Sequence, residues 1–406
     1  MLPSAMRQKS APAAAGALLA AGVLFAAPEV VPDTVAEFSR QVEEVRGRKF
    51  ARAVPAFEIE LAEARRVLRE KIVEGLPASP DDAFRSLAAV GLIDDPAGML
   101  DILVGFYASQ VVAFYDPQPR RFYVVKGAEN LAEAGTEAGD MASGLIYSHE
   151  LTHALQDETL RLDERIRQLR DDGDRAFALQ CLLEGEATLV MVRVALAAIP
   201  GAGEDIEEQI APLLSAGALE RSSVPREVPD YFVEQLFFPY TDGTAFARAA
   251  VKRGGWAEMD RLWKNPPLSS AEIIHGSPYP PPAQGLLPAN LVTVAPGQRF
   301  VYSDTLGEWT MRFLLGRALP AAEAAKAAAG WRGDRIAYFS AGSAPMSYLW
   351  RVRFDEPSSA ARFEAALRKA RVKRPAPSPE TIARDGADVV VSSGLPKTRE
   401  APRPAS

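Results

Sequence analysis

His149-Glu150-Leu151-Thr152-His153 sets two imidazoles four residues apart, with a carboxylate beside the first. On a helix, positions four apart share a face, so both rings can reach one metal ion. Glu150 lies about 100° round the helix from His149, where it meets a water activated by the metal rather than the metal itself. The chain has 3 histidines among 406 residues, and two of them fall in this pattern, which makes coincidence a poor account of it. The chemistry implied is metal-assisted hydrolysis, with Zn2+ the ion this spacing takes.

The two rings converge only if the segment is a regular helix. Gly139-Asp140 offers a start, with Asp140 as N-cap, and Met141, Leu145, Ile146 and Leu155 recur at helical spacing. No proline or glycine interrupts Leu145 to Leu160. A catalytic zinc wants three protein ligands and one open position. Candidates for the third are His275, Cys181, and the carboxylates of Glu184 and Glu186 in the segment Leu183-Glu184-Gly185-Glu186-Ala187-Thr188. That segment lies in an apolar run, Phe177 to Ile199, that reads as a buried helix, where a lone carboxylate is costly unless paired or metal-bound. Glu184 and Glu186 are separated by about 200° of helical rotation, so only one can face the metal, and spacing does not choose between them. Cys181 reads more readily as a small core hydrophobe.

The run His-Glu-Leu-Thr-His-Ala-Leu-Gln-Asp, followed on a later helix by Leu-x-Glu-Gly-x-Ala, resembles the gluzincin superfamily of thermolysin-like zinc metallopeptidases. The resemblance implies that the glutamate before the glycine, Glu184, is the third ligand. Glu186 then becomes a supporting or surface residue, and Asp157 an orienter of a ligating imidazole. It extends to one uncharacterised, mostly secreted bacterial group through Val112-Ala113-Phe114-Tyr115-Asp116, Phe238-Pro239-Tyr240 with Gly243, Pro266-Pro267-Leu268-Ser269-Ser270 up to Ile274-His275, and Gly330-Trp331-Arg332-Gly333-Asp334. These pieces span roughly residues 50 to 370. The group tends to continue His-Pro-Glu after the third histidine, where this chain has His275-Gly276-Ser277.

Peptidases of this class place a His or Tyr opposite the metal to stabilise the oxyanion, a role that falls to His275 and, as a weaker candidate, Tyr240 in a short loop. Ser269-Ser270-Ala271-Glu272 fits a capping box and Gly276 a C-cap, so His275 should end a short helix, where it could instead serve the helix dipole. Gln110 to Tyr115 and Phe122 to Val125, joined by Asp116-Pro117-Gln118-Pro119-Arg120, read as a β-hairpin. In the superfamily such a strand edge holds an extended peptide over the metal.

Around these motifs the fold class reads as α+β, a mainly helical zinc-metallopeptidase domain over 28–290 with a small sheet edge before the motif helix. Val35 to Leu100 looks helical, over Glu37–Val45, Glu58–Val73 and from Asp81. Prolines 278, 280, 281, 282 and 288 mark a boundary. Beyond it, 291–394 reads as a small α+β domain suited to substrate presentation. Its strands are Phe300–Ser303, Thr310–Leu315, Arg335–Phe339, Leu349–Phe354 and Val389–Val391, its helices Ala321–Ala329 and Ser358–Ala370. Residues 395–406 read as a disordered tail.

Net charge is −7 and no basic block or aromatic-basic pattern occurs, which argues against a nucleic-acid partner. A single cysteine excludes an intramolecular disulfide. Met6-Arg7-Gln8-Lys9 followed by the apolar run Ala13 to Ala27 reads as a secretory signal peptide over 1–27, cleaved near Ala26 or Ala27. The run is short of the roughly 20 residues of a membrane span, and a membrane association follows only if it is retained as an anchor. The expectation is a secreted or periplasmic zinc endopeptidase acting on peptide or protein substrates. The alternative is a zinc-containing, peptidase-like binding or processing module. A purely structural zinc site would call for four protein ligands, often cysteines.

Overall fold

The computed structural model describes residues 33–126, 137–197, 224–288 and 295–395, together with 199, 201 and 291. The signal segment 1–27 and the tail from 396 lie outside them. Helix α1 is Asp33–Arg46, and strand β1, Ala56–Ile59, leads into α2, Leu61–Gly75. Helices α3, Pro80–Val90, and α4, Met99–Ala108, precede the hairpin β2, Ala113–Asp116, and β3, Arg121–Val125. Then come α5, Glu137–Leu160, α6, Leu162–Gln168, and α7, Gly173–Ala197. After α8, Asp230–Phe238, a π-helical turn, Pro239–Gly243, runs into α9, Thr244–Lys264, which breaks at Gly254-Gly255. Helix α10 is Ser270–His275.

The chain closes with β4, Arg299–Asp304, α11, Gly307–Gly316, α12, Ala321–Ala328, β5, Trp331–Ser340, β6, Ser347–Phe354, α13, Pro357–Lys373, β7, Glu380–Asp385, and β8, Asp388–Ser393. The architecture is therefore mixed α+β, with one small sheet in the helical part and a separate C-terminal sheet. The small sheet has the order β1-β3-β2, β1 parallel and β2 antiparallel to β3. The C-terminal sheet runs β4-β5-β6-β8-β7 with every pair antiparallel.

Helix α5 lies between two apolar surfaces. Leu151 and Leu155 pack with Val35 and Val42 of α1, Ala56 and Phe122 of the small sheet, and Val190 and Val194 of α7. That packing fixes the rotation of α5 and turns its histidine face toward α7. A buried ion pair from Lys71 of α2 to Asp116, 3.1 Å, anchors the end of β2. β2 is an edge strand of its sheet.

Several local expectations need correction. The motif helix begins at Glu137, upstream of the expected cap Asp140. Ala56–Ile59 is a strand where a helix was expected to take over from Glu58. Parallel pairing with β3 outweighs local propensity there, and α2 starts only at Leu61. Thr310–Leu315 is helical, because Met311, Leu314 and Leu315 reach the core together only at spacings of three and four. β7 went unforeseen: it is largely exposed and lacks an apolar alternation.

The boundary near 290 precedes the C-terminal sheet but does not divide the interior. One apolar core runs from Phe84, Phe177 and Phe232 through Trp309 to Trp331, Trp350 and Phe363. Carboxylates stitch across it. Asp304 accepts from the Gly173 and Thr305 amides, at 2.7 and 2.8 Å, and Asp174 from that of Ser270, at 3.2 Å.

Candidate metal centre

Helices α5 and α7 face each other with their polar positions inward. His149 Nε2 lies 3.2 Å from His153 Nε2 and 3.0 Å from Glu184 Oε2, and His153 Nε2 lies 3.4 Å from the same oxygen. All three residues are buried, at 7 %, 3 % and 5 % exposure. They form a group able to hold a metal ion among the described residues. Two imidazole nitrogens and a carboxylate oxygen suit a borderline ion such as zinc, bound at about 2.0–2.2 Å. Tetrahedral bonds of that length put neighbouring ligand atoms about 3.3–3.6 Å apart, close to the triangle observed. The structure thus selects Glu184 among the third-ligand candidates.

Burial alone would raise the Glu184 carboxyl, yet the two imidazoles outweigh it and hold the group well below the ordinary range. His153 shows the converse: burial lowers it, but the attraction of Glu184 pushes it up to about 9. The carboxylate that would ligate a cation draws a proton onto its histidine neighbour.

Glu150, half-buried on the next face of α5, accepts a 2.9 Å hydrogen bond from the Tyr115 backbone N–H of β2. The outer edge of β2 therefore borders the cluster. Desolvation raises the Glu150 carboxyl, opposed by His153 and His149.

Tyr240 sits in the π-helical turn rather than a loop, its ring stacked on His149 with centroids 5.7 Å apart. π-turns inside helices are frequent at functional sites. Burial first, then the Glu184 and Glu150 carboxylates, raise its phenol well above its ordinary value, so it remains a proton donor. A close backbone approach makes this placement possible. A Cβ on Gly185 would lie 2.2 Å from the backbone C and O of Gly243, and one on Gly243 2.4 Å from Cys181 O. Two glycines let the turn lie directly on α7.

The remaining candidates sit elsewhere. His275 does end a short helix capped by Ser269, whose side chain accepts from the Glu272 amide. Its Nε2, however, lies 2.9 and 3.0 Å from the two oxygens of Glu308 and its ring stacks on Tyr279, so the structure does not bring it into the metal group. Cys181 is buried in the apolar core, outside the group. Asp157 orients no imidazole. It accepts from the Leu162 amide at 2.7 Å and Tyr115 Oη at 3.0 Å and pairs with Arg120, tying the end of α5 to the hairpin.

The residue on His153 is Gln156, one helical turn away, whose Oε1 lies 2.8 Å from His153 Nδ1. Gln156 Nε2 donates to Leu183 O at 3.0 Å and Glu186 Oε2 at 2.9 Å. Glu186 is fully buried, which excludes a surface role. It also accepts from Arg46 Nε of α1 and Trp263 Nε1 of α9, both at 2.6 Å. Sequence reasoning missed Gln156, Arg46, Trp263 and the Tyr115 amide. Only Gln156 left a signal, lying three residues after His153 on the same helical face.

Residues 298–402 match the model of a family described as a domain of unknown function, DUF8575. The match covers the C-terminal sheet and its helices and excludes the metal group. No curated protein and no solved structure matches the chain.

Proposed function

We infer that the protein is a zinc-dependent endopeptidase, with His149, His153 and Glu184 as ligands and Glu150 as the proton-transfer group. The observation that carries this reading is the convergence of the three ligand atoms beside a carboxylate held, by a backbone amide, at the edge of a β-strand. When bound, zinc supplies Lewis acidity that polarises a carbonyl and acidifies water.

The chain's own groups supply the rest. Glu150, its carboxyl raised by desolvation, takes a proton from the attacking water and returns it to the leaving amine nitrogen. The β2 edge offers main-chain groups to an extended substrate. Tyr240, a persistent donor beside His149, is better placed than His275 to hydrogen-bond the oxyanion. The N-terminal segment supports a secreted or periplasmic setting; among the described residues no helix is long and apolar enough to cross a membrane.

The burial of all three ligands favours one second reading, a peptidase-like module devoted to a single partner. Incubation of the mature protein with an unbiased peptide library separates the two. Cleavage abolished by a chelator and restored by zinc supports the enzyme. Stoichiometric zinc with no cleavage of any peptide or protein pool leaves the binding module.

A further inference from the structure

Gln156 is an amide between two unlike neighbours. On one side stand Leu183 O and Glu186 Oε2, at 3.0 and 2.9 Å. A carbonyl oxygen can only accept, and Glu186 already receives donors from Arg46 and Trp263, which fixes it as an acceptor as well. The amide NH2 must therefore face that side, and its oxygen must face His153 Nδ1, 2.8 Å away. An oxygen there requires Nδ1 to carry the proton, so the neutral ring presents the Nε2 lone pair to His149 and Glu184.

We propose that Gln156 is the positioning residue of the metal centre. Oriented by Glu186 and through it by Arg46 and Trp263, it locks His153 in the tautomer that can ligate. The proposal rests on the metal-centre reading above. Ligating histidines commonly donate to a carboxylate or a carbonyl. Here a neutral amide intervenes, and the negative charge sits one residue further back, on Glu186, beside Arg46.

Arg46 is itself held by Asp260 at 2.6 Å and lies 4.6 Å from the Trp256 and Trp263 ring centroids. The chain of contacts thus joins α1, α5, α7 and α9. Helix α1, distant in sequence from the motif, becomes part of what sets the metal affinity.

The test measures zinc affinity of the full chain by competition with a chromophoric chelator, with thermal melts of each metal-free variant. Gln156→Met should remain folded and bind zinc about 10–100-fold more weakly. Gln156→Glu sets two carboxylates face to face and should also bind weakly.

Nitrogen NMR of the zinc-loaded protein adds a readout that simple packing would not move. A slowly exchanging His153 Nδ1 proton should appear in wild type and vanish in Gln156→Met. The proposal is overturned if folded Gln156→Met binds zinc like wild type. It is equally overturned if the zinc-loaded wild type shows no slowly exchanging His153 Nδ1 proton, an observation that stands even should Gln156→Met fail to fold. A wild type that binds zinc but cleaves nothing removes the peptidase reading and leaves this one intact; a wild type that binds no zinc overturns both.

Discussion

At the scale of single residues, three side chains meet at hydrogen-bonding distance and a fourth stands beside them without joining. His153→Ala and Glu184→Gln each remove a member of the triangle and should abolish stoichiometric zinc. His275→Ala should retain it, because His275 Nε2 is engaged by Glu308. Metal analysis of the purified variants checks all three, and zinc loss in His275→Ala would make that residue a ligand after all. Glu150→Gln keeps the shape and the acceptor for the Tyr115 amide, so zinc content and folding should be unchanged while peptide hydrolysis falls at least about 10²-fold. Undiminished hydrolysis in that variant would remove Glu150 from the chemistry.

Among the elements, the contact between α7 and the π-helical turn is the most demanding. Gly185→Ala drives a methyl to within 2.2 Å of the Gly243 backbone, and backbone on both sides cannot yield as a flexible side chain would. The turn must lift and carry Tyr240 off His149. Overpacking of this kind costs about 1–3 kcal/mol. Denaturant titration should therefore show a lower midpoint, and hydrolysis should fall more than zinc affinity, since the ligands lie on α5 and α7 rather than on the turn. An unchanged midpoint would mean that the two backbones have room to separate.

For the molecule as a whole, the C-terminal sheet and α7 share one apolar core, with Asp304 and Asp174 accepting backbone amides across it. Asp304 shows the consequence. Burial pushes its carboxyl up from 3.8 to about 7, only partly offset by the Gly173 and Thr305 amides and by Arg335. Between those values the folded protein keeps the proton while the unfolded chain has lost it. Stability is thus fullest below the lower value and declines as pH rises through the upper one, by about 1.4 kcal/mol per pH unit within the window. Asp304→Asn can still accept through its amide oxygen and carries no such charge. Its thermal midpoint relative to wild type should rise between pH 5 and pH 8, and a parallel pair of curves would show that Asp304 is not the titrating group.

The sequence by itself determined the motif helix, the capped helix ending at His275, the hairpin and the long buried helix, because spacing within one element follows from helical or strand periodicity. Local pattern also narrowed the third ligand to a short set. Spacing alone left Glu184 and Glu186 open and the resemblance pointed to Glu184; which face of α7 meets α5, a matter of packing against α1 and the small sheet, is what brings that carboxylate to the two histidines. Asp157 and Gln156 show the limit most clearly: adjacent in sequence, they turn to different neighbours, one to Tyr115 and Arg120, the other to His153 and Glu186. Arg46 lies 140 residues from Glu186, and no local pattern encodes that pair. Tertiary structure decided it, since a buried charge is tolerated only where the fold brings its partner.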